Sequence, residues 1–387
     1  MMPVYIVDSI RTPLITPHRS FKQITAVDLS AVIIKAFIAR QLLKMDSIDN
    51  VIIGNVVSSG MGQNIARQAV LQSGLSEKTP AHVIDYVCGS GLQALISGVQ
   101  SLKSSDADLI MSIGVESASQ SPFFISRDKI NNFSKDDLKD SSYYDGLYCA
   151  MTKKNMGQLV EDLALKHRIS RKQQDIFSLQ SHQRAYRAQE QHCFDDEIVS
   201  VEIQGKKISK DDRPRGHLNL EMLEKLSPAF KDEGTLTAGN SSTPCDGAAG
   251  VLLSSEKALK KYHLTPRARI VDYVSVAVSA DDTFESGVLA VKEILKKTKM
   301  SLGDIDLFEI CESFAAQAIL VQKTLKIPEE KMNIYGGDVA LGHPLGAAGT
   351  RILVTLTHAL HHNKKRYGLA CVSFGSGAAI AFIIEKI

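Results

Sequence analysis

An alternation of apolar, β-branched runs with helix-like stretches constrains the fold more than any other feature of the chain. Within the first 118 residues the apolar runs are VYIV, VIIGNVV, HVIDYV and DLIMSIG, and helical patterns lie near 25–43, near 64–73 and from Gly91 through Lys103. This alternation predicts an α/β fold. Strands this apolar should be buried on both faces of their sheet.

The same texture returns from Asp246 onward. The apolar runs there are GAAGVLLSS, RARIVDYVSVAV, IDLFEI and GLACVSF, and helical patterns lie near 284–297, from Phe314 and near 346–361. Two stretches of similar texture are consistent with a duplicated α/β unit, although no residue-level repeat proves the duplication.

A polar, aromatic and charged segment separates the two stretches and is predicted to be an inserted domain. It runs from 119 to 245, and within it Ser170 followed by Gln173 makes a capping-box pattern before a helix. The predicted organisation is therefore a first half made of 1–118 and 246–268, an insert of 119–245, and a second half of 269–387.

Charge and cysteine content exclude several classes of protein. The 387-residue chain has 45 Lys and Arg residues against 43 Asp and Glu residues, a net charge of +2, so no nucleic-acid partner is expected. The apolar runs are too short to span a membrane and the start lacks a signal-peptide pattern, so we expect a cytoplasmic protein. Its six scattered cysteines lack metal-ligand spacing, which predicts free thiols and no metal site.

The segment VIDYVCGSGLQAL places Cys88 between a predicted strand and a predicted helix. Unpaired N–H groups at a helix N-terminus stabilise a thiolate. Gly89 and Gly91 would let a substrate carbonyl approach the backbone. Cys88 is therefore a candidate nucleophile, although the commonest position of a free cysteine is inside the core.

The same segment permits a second interpretation, a dinucleotide-binding turn. Gly89, Gly91 and Ala94 fit the pattern G-x-G-x-x-A, and Glu116 ends the next strand, as in a dinucleotide fold. This pattern makes an NAD-binding dehydrogenase the alternative. A cysteine at the end of the strand contributes nothing to pyrophosphate binding, which favours the nucleophile.

Three later segments also carry candidate groups. In GGDVALGHPLGAAG, His343 lies in a glycine-rich loop and is a candidate base or oxyanion-stabilising group. CVSFGSGAAIAF predicts two strands joined by a tight turn from Gly375 to Gly377. EICESFAAQAI predicts a strand that runs into a helix, with Glu312 and Ser313 at the junction.

Together these segments resemble the thiolase family, the acetyl-CoA C-acyltransferases, over nearly the whole chain. The resemblance also covers GNVVSSGMGQNIARQAVLQSGL, SIGVESAS, ISRKQQDIFSLQSHQRA, PAFKDEGTLTAGNSS and DGAAGVLLSSEKA, all in thiolase order. It implies the thiolase fold, in which two duplicated α/β halves form a layered α-β-α-β-α core and an inserted loop domain covers coenzyme A. It also implies a homodimer or homotetramer.

The resemblance implies a role for each matching residue. Cys88 would be acylated by a thioester, His343 would take its proton, and the N–H groups of Cys88 and Gly375 would line an oxyanion hole. CoA and acyl-CoA would be substrates, with no permanently bound cofactor and no metal. The positions that match the CoA-binding residues of the family are Met156, Arg215, Ala238 and Ser242.

Most thiolases have a second catalytic cysteine, which acts as an acid/base. Two coupled departures from the family pattern concern this residue. Ser373 stands where most thiolases have a cysteine, and a serine hydroxyl is a poor proton shuttle near neutral pH. Cys371 would share a face of the strand with Ser373 but lie about 6.6 Å away, at about 3.3 Å per residue. The family motif N-E-A-F reads C-E-S-F from Cys311, and we hypothesise that Cys311 supplies the missing acid/base.

A third departure is DDTFESG at 281–287, which replaces an M-G-x-G-P segment beside the acyl pocket and leaves the acyl length open. The leading function is a thiolase of fatty acid or lipid metabolism that cleaves 3-ketoacyl-CoA with CoA, or forms it by Claisen condensation, through an acyl group on Cys88. The alternatives are an acyltransferase without carbon-carbon chemistry, a thiolase-like CoA-binding subunit and, more remotely, the dehydrogenase.

Overall fold

The computed structural model describes residues 2–387, and its first stretch follows the predicted alternation closely. The elements there are β1 (Tyr5–Arg11), α1 (Ala26–Arg40), β2 (Asn50–Gly54), α2 (Ile65–Ser73), β3 (Ala81–Ile84), α3 (Ser90–Lys103) and β4 (Leu109–Glu116).

The insert contains two long helices and several short elements. They are β5 (Phe123–Phe124), β6 (Lys139–Asp140), α4 (Ser141–Gly146), β7 (Tyr148–Cys149), β8 (Lys154–Asn155), α5 (Met156–Lys166), α6 (Arg171–Glu190), β9 (Val201–Ile203), β10 (Lys206–Ile208) and α7 (Leu220–Glu224). The capping box before α6 is confirmed, because the Ser170 side chain accepts the N–H of Gln173 and the Gln173 side chain accepts the N–H of Ser170.

The last stretch again alternates strands and helices. Its elements are β11 (Gly247–Ser254), α8 (Glu256–Tyr262), β12 (Ala268–Ala277), α9 (Ser286–Thr298), β13 (Leu307–Ile310), α10 (Ala315–Leu325), α11 (Asp338–Leu341), α12 (Ala348–His362), β14 (Tyr367–Phe374) and β15 (Ala378–Lys386). The predicted hairpin at the end is present, since β14 and β15 pair antiparallel.

Nine strands form one sheet in the order β13-β14-β15-β12-β1-β11-β4-β2-β3. The junction between its two parts is short: β1 and β12 pair only through Tyr5 with Arg269 and Ile6 with Ala268. Either side of this junction the arrangement repeats, because β2 lies parallel to β4 as β13 lies parallel to β14. The predicted duplication is therefore visible in the topology.

A local irregularity repeats as well. The antiparallel pair β1 and β11 shifts register between Ile6 and Asp8, and the pair β12 and β15 shifts register between Ile270 and Asp272. A β-bulge bends a strand at a defined position, so finding one at equivalent positions of both parts is further support for two related halves.

Three apolar clusters divide the molecule into layers. Helices α1 and α2 pack on the outer face of the first part of the sheet, and α9 and α10 pack on the outer face of the second. Helices α3 and α12 lie between the two parts and share one cluster with strands of both. This is the expected α-β-α-β-α order, while the boundaries at 118, 245 and 268 stay a prediction.

One expectation about burial is wrong. The run HVIDYV was expected to form a strand buried on both faces, but β3 ends at Ile84 and is the edge of the sheet, with His82 exposed. Both faces of β3 pack against apolar clusters, but an edge strand has a neighbouring strand on one side only, which leaves its residues partly exposed. Alternation along the chain does not reveal which strand is last. The remainder of the run, 85–87, is a loop that leads to Cys88.

Candidate active site

Cys88 lies on a strained turn between β3 and α3. The preceding residue, Val87, has φ = 50°, a value that is rare for a β-branched residue and costs on the order of 1–3 kcal/mol. Ser90 holds the turn in place, because its hydroxyl donates to the Val87 carbonyl at 2.6 Å and accepts the Tyr86 N–H at 2.8 Å. The turn presents Cys88, which is 7% exposed, to an internal cavity.

The two glycines after Cys88 permit close packing. A Cβ on Gly89 would overlap the ring of Phe374, and one on Gly91 would lie 2.8 Å from the Gly346 carbonyl and overlap Thr350. The sequence pattern thus reflects contact between α3 and the loop before α12. This arrangement gives no support to the dinucleotide-binding alternative.

Glu116, the acidic residue of that alternative, is fully buried and organises two loops. Its carboxylate accepts the N–H groups of Val56 at 3.2 Å, Val57 at 3.2 Å and Gly346 at 3.0 Å, and the amide of Asn55 at 2.9 Å. Burial raises the pKa of Glu116 to about 7 in spite of these donors. Glu116 therefore fixes the loop that carries His343 and has no free oxygen for a ribose.

The loop that carries His343 depends on one glycine. Gly342 has φ = 103°, and a Cβ there would lie 2.9 Å from the Sγ atom of Cys245. His343 itself is 4% exposed, and its N–H donates to the Thr243 carbonyl at 2.9 Å. The backbone of His343 is thus held by the end of the insert.

Buried polar groups surround the imidazole of His343. Its Nδ1 atom lies 3.8 Å from the Sγ atom of Cys311 and 3.8 Å from Oδ1 of Asp338. Asp338 also accepts a hydrogen bond from Arg351 at 2.7 Å and one from the Glu312 N–H at 2.8 Å. The other ring nitrogen, Nε2, is therefore the one left for the cavity.

These neighbours determine the charges in the site. Burial alone lowers the pKa of His343, but the nearby sulfurs of Cys88 and Cys311 and the Asp338 carboxylate raise it well above its ordinary value. Burial alone raises the pKa of Asp338, but Arg351 and His343 outweigh burial and hold it well below its ordinary value. Burial, followed by Asp338, raises the pKa of the Cys311 thiol to about 11.

Cys311, Asp338 and His343 each place one possible metal ligand within 4.8 Å of the others. Arg351 already neutralises the Asp338 carboxylate, however, and a bound cation would have to displace that ion pair. The ion pair between Asp338 and Arg351 thus occupies the carboxylate that such a cation would need.

The cavity that these groups face encloses about 190 Å³. Most of its wall is apolar, and three aromatic rings meet there edge to face: Phe314 contacts Phe230 at 5.9 Å and Phe284 at 5.7 Å between ring centroids. The residues that line it are Cys88, Tyr143, Gly146, Leu147, Asn155, Met156, Gly157, Phe230, Ser242, Pro244, Phe284, Ser313, Phe314, His343, Leu345, Phe374 and Gly375.

Five of the sequence-predicted site residues come together in this cavity, namely Cys88, His343, Gly375, Met156 and Ser242. The side chain of Ser242 donates to the Ser313 carbonyl at 2.8 Å. Arg215 and Ala238 are exposed outside the cavity.

The two candidates for the second acid/base differ in position. Ser373 is buried beside Gly287 of α9, away from the cavity wall, and its hydroxyl has no hydrogen-bond partner among residues 2–387. Cys371 faces the same helix, as their shared strand face predicted. Cys311 lies directly behind the wall, 3.4 Å from the hydroxyl of Ser313, which does line the cavity.

Sequence reasoning missed Asp338 as a site residue. A signal for it exists, because an acidic residue in the apolar and glycine-rich stretch GGDVALGHPLG needs a buried partner. It also did not name Phe284 or Ser313 as cavity residues, although the segment 281–287 was expected beside the acyl pocket and Ser313 stands at the junction of a predicted strand and helix.

Comparisons with known proteins identify the family of the chain. The family model of the thiolase N-terminal domain matches residues 4–257, and that of the thiolase C-terminal domain matches residues 264–386. The chain belongs to the thiolase family. A probable acetyl-CoA acyltransferase of Staphylococcus aureus strain COL is 40% identical over 392 residues, which cover 100% of both chains.

Solved thiolases have nearly the same fold. Human mitochondrial 3-ketoacyl-CoA thiolase in complex with CoA is 36% identical with a TM-score of 0.96, and the match covers 100% of this chain and 98% of the human one. Bacillus anthracis acetyl-CoA acetyltransferase is 33% identical with a TM-score of 0.96, and the match covers 100% of this chain and 99% of the bacterial one. The protein is thus a thiolase-type acyltransferase that transfers acyl groups between CoA thioesters.

Within residues 2–387, this thiolase has no helix that is both long enough and apolar enough to cross a membrane.

Proposed function

We propose that this thiolase cleaves 3-ketoacyl-CoA with CoA, or forms it by the reverse condensation, through an acyl group carried on Cys88. The observation that carries the proposal is the shared cavity: a cysteine on a strained turn and a histidine with buried ionic partners line the same apolar space. Thiolates attack thioesters readily and are good leaving groups, so two half-reactions with ping-pong kinetics follow.

In the first half-reaction, the Cys88 thiol gives its proton to Nε2 of His343 and its sulfur attacks a carbonyl carbon, which is the thioester carbonyl of a simple acyl-CoA or the 3-keto carbonyl of a 3-ketoacyl-CoA. For a 3-ketoacyl substrate the bond between Cα and Cβ breaks, and the acetyl-CoA carbanion that leaves must be protonated. In the second, the sulfur of CoA gives its proton to the group that protonated the carbanion and attacks the acyl-enzyme, and Cys88 leaves and takes its proton back from His343. We assign the oxyanion of each step to the N–H groups of Cys88 and Gly375.

The proton for the departing carbanion comes, in this proposal, from Cys311. A thiol whose pKa is raised to about 11 stays protonated near neutral pH, which suits a general acid. Its contacts with Ser313 and His343 provide a short route to the cavity wall. Ser373 is the weaker candidate because its hydroxyl lies beside Gly287 and off the wall.

The substrate would occupy the cavity and the surface next to it. Met156 and Ser242 would contact CoA inside, while Arg215 would meet a phosphate and Ala238 the CoA chain outside. An acyl chain longer than acetyl suits the wall better, because Phe284 and Phe314 offer apolar surface that an acetyl group is too small to cover.

A second candidate function is acyl transfer to another acceptor without carbon-carbon chemistry. The position of Ser373 favours it, since no thiol or hydroxyl of that strand reaches the cavity wall. The two functions share the acylation of Cys88 and differ in whether a carbon-carbon bond breaks to give a carbanion that must be protonated. A kinetic test therefore separates them.

The test mixes the purified protein with acetoacetyl-CoA or a longer 3-ketoacyl-CoA, each with CoA, and follows substrate loss and intact protein mass. Turnover with a transient acyl adduct, absent in Cys88→Ala, is the expected result. Acylation by a simple acyl-CoA without loss of the 3-ketoacyl substrates would favour the second function, and no adduct with any substrate would refute the role of Cys88.

We further propose a homodimer or homotetramer that acts in lipid metabolism in the cytoplasm. The stretch 119–148 supports assembly because it exposes Phe123, Ile130 and Phe133, and exposed apolar side chains in one segment are typical of interfaces. Light scattering of the purified protein measures the assembly, and microscopy of a tagged chain in its own cell measures the location.

A further inference from the structure

We propose that Asp338 completes a triad with His343 and Cys88, as a positioning residue that orients the imidazole and favours its charged form. The proposal rests on the proposed role of Cys88. It adds a residue that the sequence patterns of the site did not single out, and it assigns a task to a carboxylate buried in the catalytic loop.

The geometry around the ring determines which nitrogen faces the cavity. Nδ1 lies 3.8 Å from Asp338 Oδ1 and 3.8 Å from Cys311 Sγ. The oxygen distance exceeds that of a hydrogen bond, so the contact is ionic in this state, and catalytic contacts commonly shorten when substrate binds. A carboxylate next to Nδ1 favours the proton there, which leaves the lone pair of Nε2 to accept the proton of Cys88.

The carboxylate is itself held in place. Arg351 donates to Oδ1 at 2.7 Å and the Glu312 N–H donates to Oδ2 at 2.8 Å, and all three residues are buried. Glu309 lies on the far side of Arg351, with 3.7 Å between Nη1 and Oε2. Asp338 thus has a fixed position and a fixed negative charge, which are the two properties that a residue orienting a histidine needs.

The proton balance of the step is simple. The proton of Cys88 passes to Nε2, Asp338 stays ionised, and the thiolate attacks the thioester. When CoA leaves, the same proton passes from Nε2 to its sulfur. The titratable groups that face His343 are Cys88, Cys311, Cys245 and Asp338, and of these Asp338 is the anion nearest to Nδ1.

The test compares Asp338→Asn with a matched control, Glu309→Gln. Both remove a buried carboxyl group that faces Arg351, but only the first removes one that faces His343. The readout is the rate at which iodoacetamide alkylates Cys88 between pH 5 and 10, followed by peptide mass with Cys88→Ala as the blank. This assay needs no turnover, so its outcome is independent of whether the proposed thiolysis is correct.

We expect Asp338→Asn to alkylate about 10- to 100-fold more slowly near pH 7, the loss typical of one charge-assisted contact. The midpoint of its pH profile should lie at higher pH than that of the wild type. Glu309→Gln should keep the wild-type pH profile even if its melting temperature falls. Identical profiles for wild type and Asp338→Asn would overturn the proposal.

If Asp338→Asn does not fold, a measurement on the wild-type enzyme still tests whether Asp338 orients His343. Nitrogen NMR of histidine-labelled protein, assigned with His343→Gln, reports which ring nitrogen carries the proton. A His343 that is charged, or neutral with its proton on Nδ1, supports the triad. A neutral ring with its proton on Nε2 would contradict it.

Discussion

Replacing Cys311 by alanine separates the two chemical tasks of the site. A thiol is small, so its removal leaves only a small apolar space. Because Cys311 is fully buried, that space costs about 1–2 kcal/mol of stability. Its Sγ atom lies 3.8 Å from Nδ1 of His343, so acylation of Cys88 loses one weak contact of the imidazole. Protonation of the carbanion loses its acid, and general acids contribute about 10²- to 10⁴-fold.

The assay measures the two tasks separately. Acylation is followed by exchange of labelled CoA into an acyl-CoA, which needs Cys88 and His343 but no carbanion. Thiolysis is followed by loss of a 3-ketoacyl-CoA in the presence of CoA. We expect Cys311→Ala to lose less than about tenfold in exchange and about 10²- to 10⁴-fold in thiolysis.

The matched control is Ser373→Ala, which removes a buried hydroxyl that lies away from the cavity wall. It should leave both rates within a few-fold of the wild type. If Cys311→Ala keeps wild-type thiolysis while Cys88→Ala abolishes it, Cys311 is not the acid. A large loss in Ser373→Ala would return that role to the serine.

Three other outcomes follow from the site and its supports. Phe284→Ala should lower kcat/KM for longer 3-ketoacyl-CoA relative to acetoacetyl-CoA, because it removes apolar surface that only the longer chain covers; an unchanged ratio in a chain-length series would refute this role. Gly342→Ala should lower the free energy of unfolding by at least about 1–3 kcal/mol, because φ is 103° and the new Cβ meets Cys245, as denaturant titration would reveal. The buried carboxyl of Glu116 has its pKa raised from 4.5 to about 7, so it stays protonated to higher pH in the folded chain than in the unfolded one. Its contribution to the free energy of unfolding is therefore full below about pH 4.5 and is lost as pH rises through 7. Unfolding of wild type and Glu116→Gln from pH 4 to 8 should therefore give a slope that the variant lacks.

The parts of the fold that follow local rules could be predicted from the sequence. The alternation of strands and helices, the cap at Ser170 and the final hairpin depend on residues close together in the chain. The order of strands depends on contacts between residues far apart in the chain, and so the edge position of β3 was not predicted. When helices cover the sheet, an edge strand can be as apolar as a central strand, so composition does not distinguish the two.

The candidate site was predictable in its residue types but not in all of its contacts. Cys88 and His343 stand in glycine-rich loops, which indicated close approach of the backbone, and both line the same cavity. Ser373 and Cys371 were correctly placed on one face of a strand, yet periodicity alone gives no sign that this face turns toward α9. The contact of Asp338 with His343 depends on a short helix and a glycine turn, and no spacing rule describes that combination.

The loops of Cys88 and His343 come from opposite sides of the short junction between β1 and β12. On the ribosome, Cys88 emerges long before the strands that complete the second part of the sheet. Until the second part of the sheet and α12 fold against α3, the loop of His343 is not beside Cys88. If Cys88 acts as proposed, its proton acceptor is therefore in place only when synthesis is nearly complete.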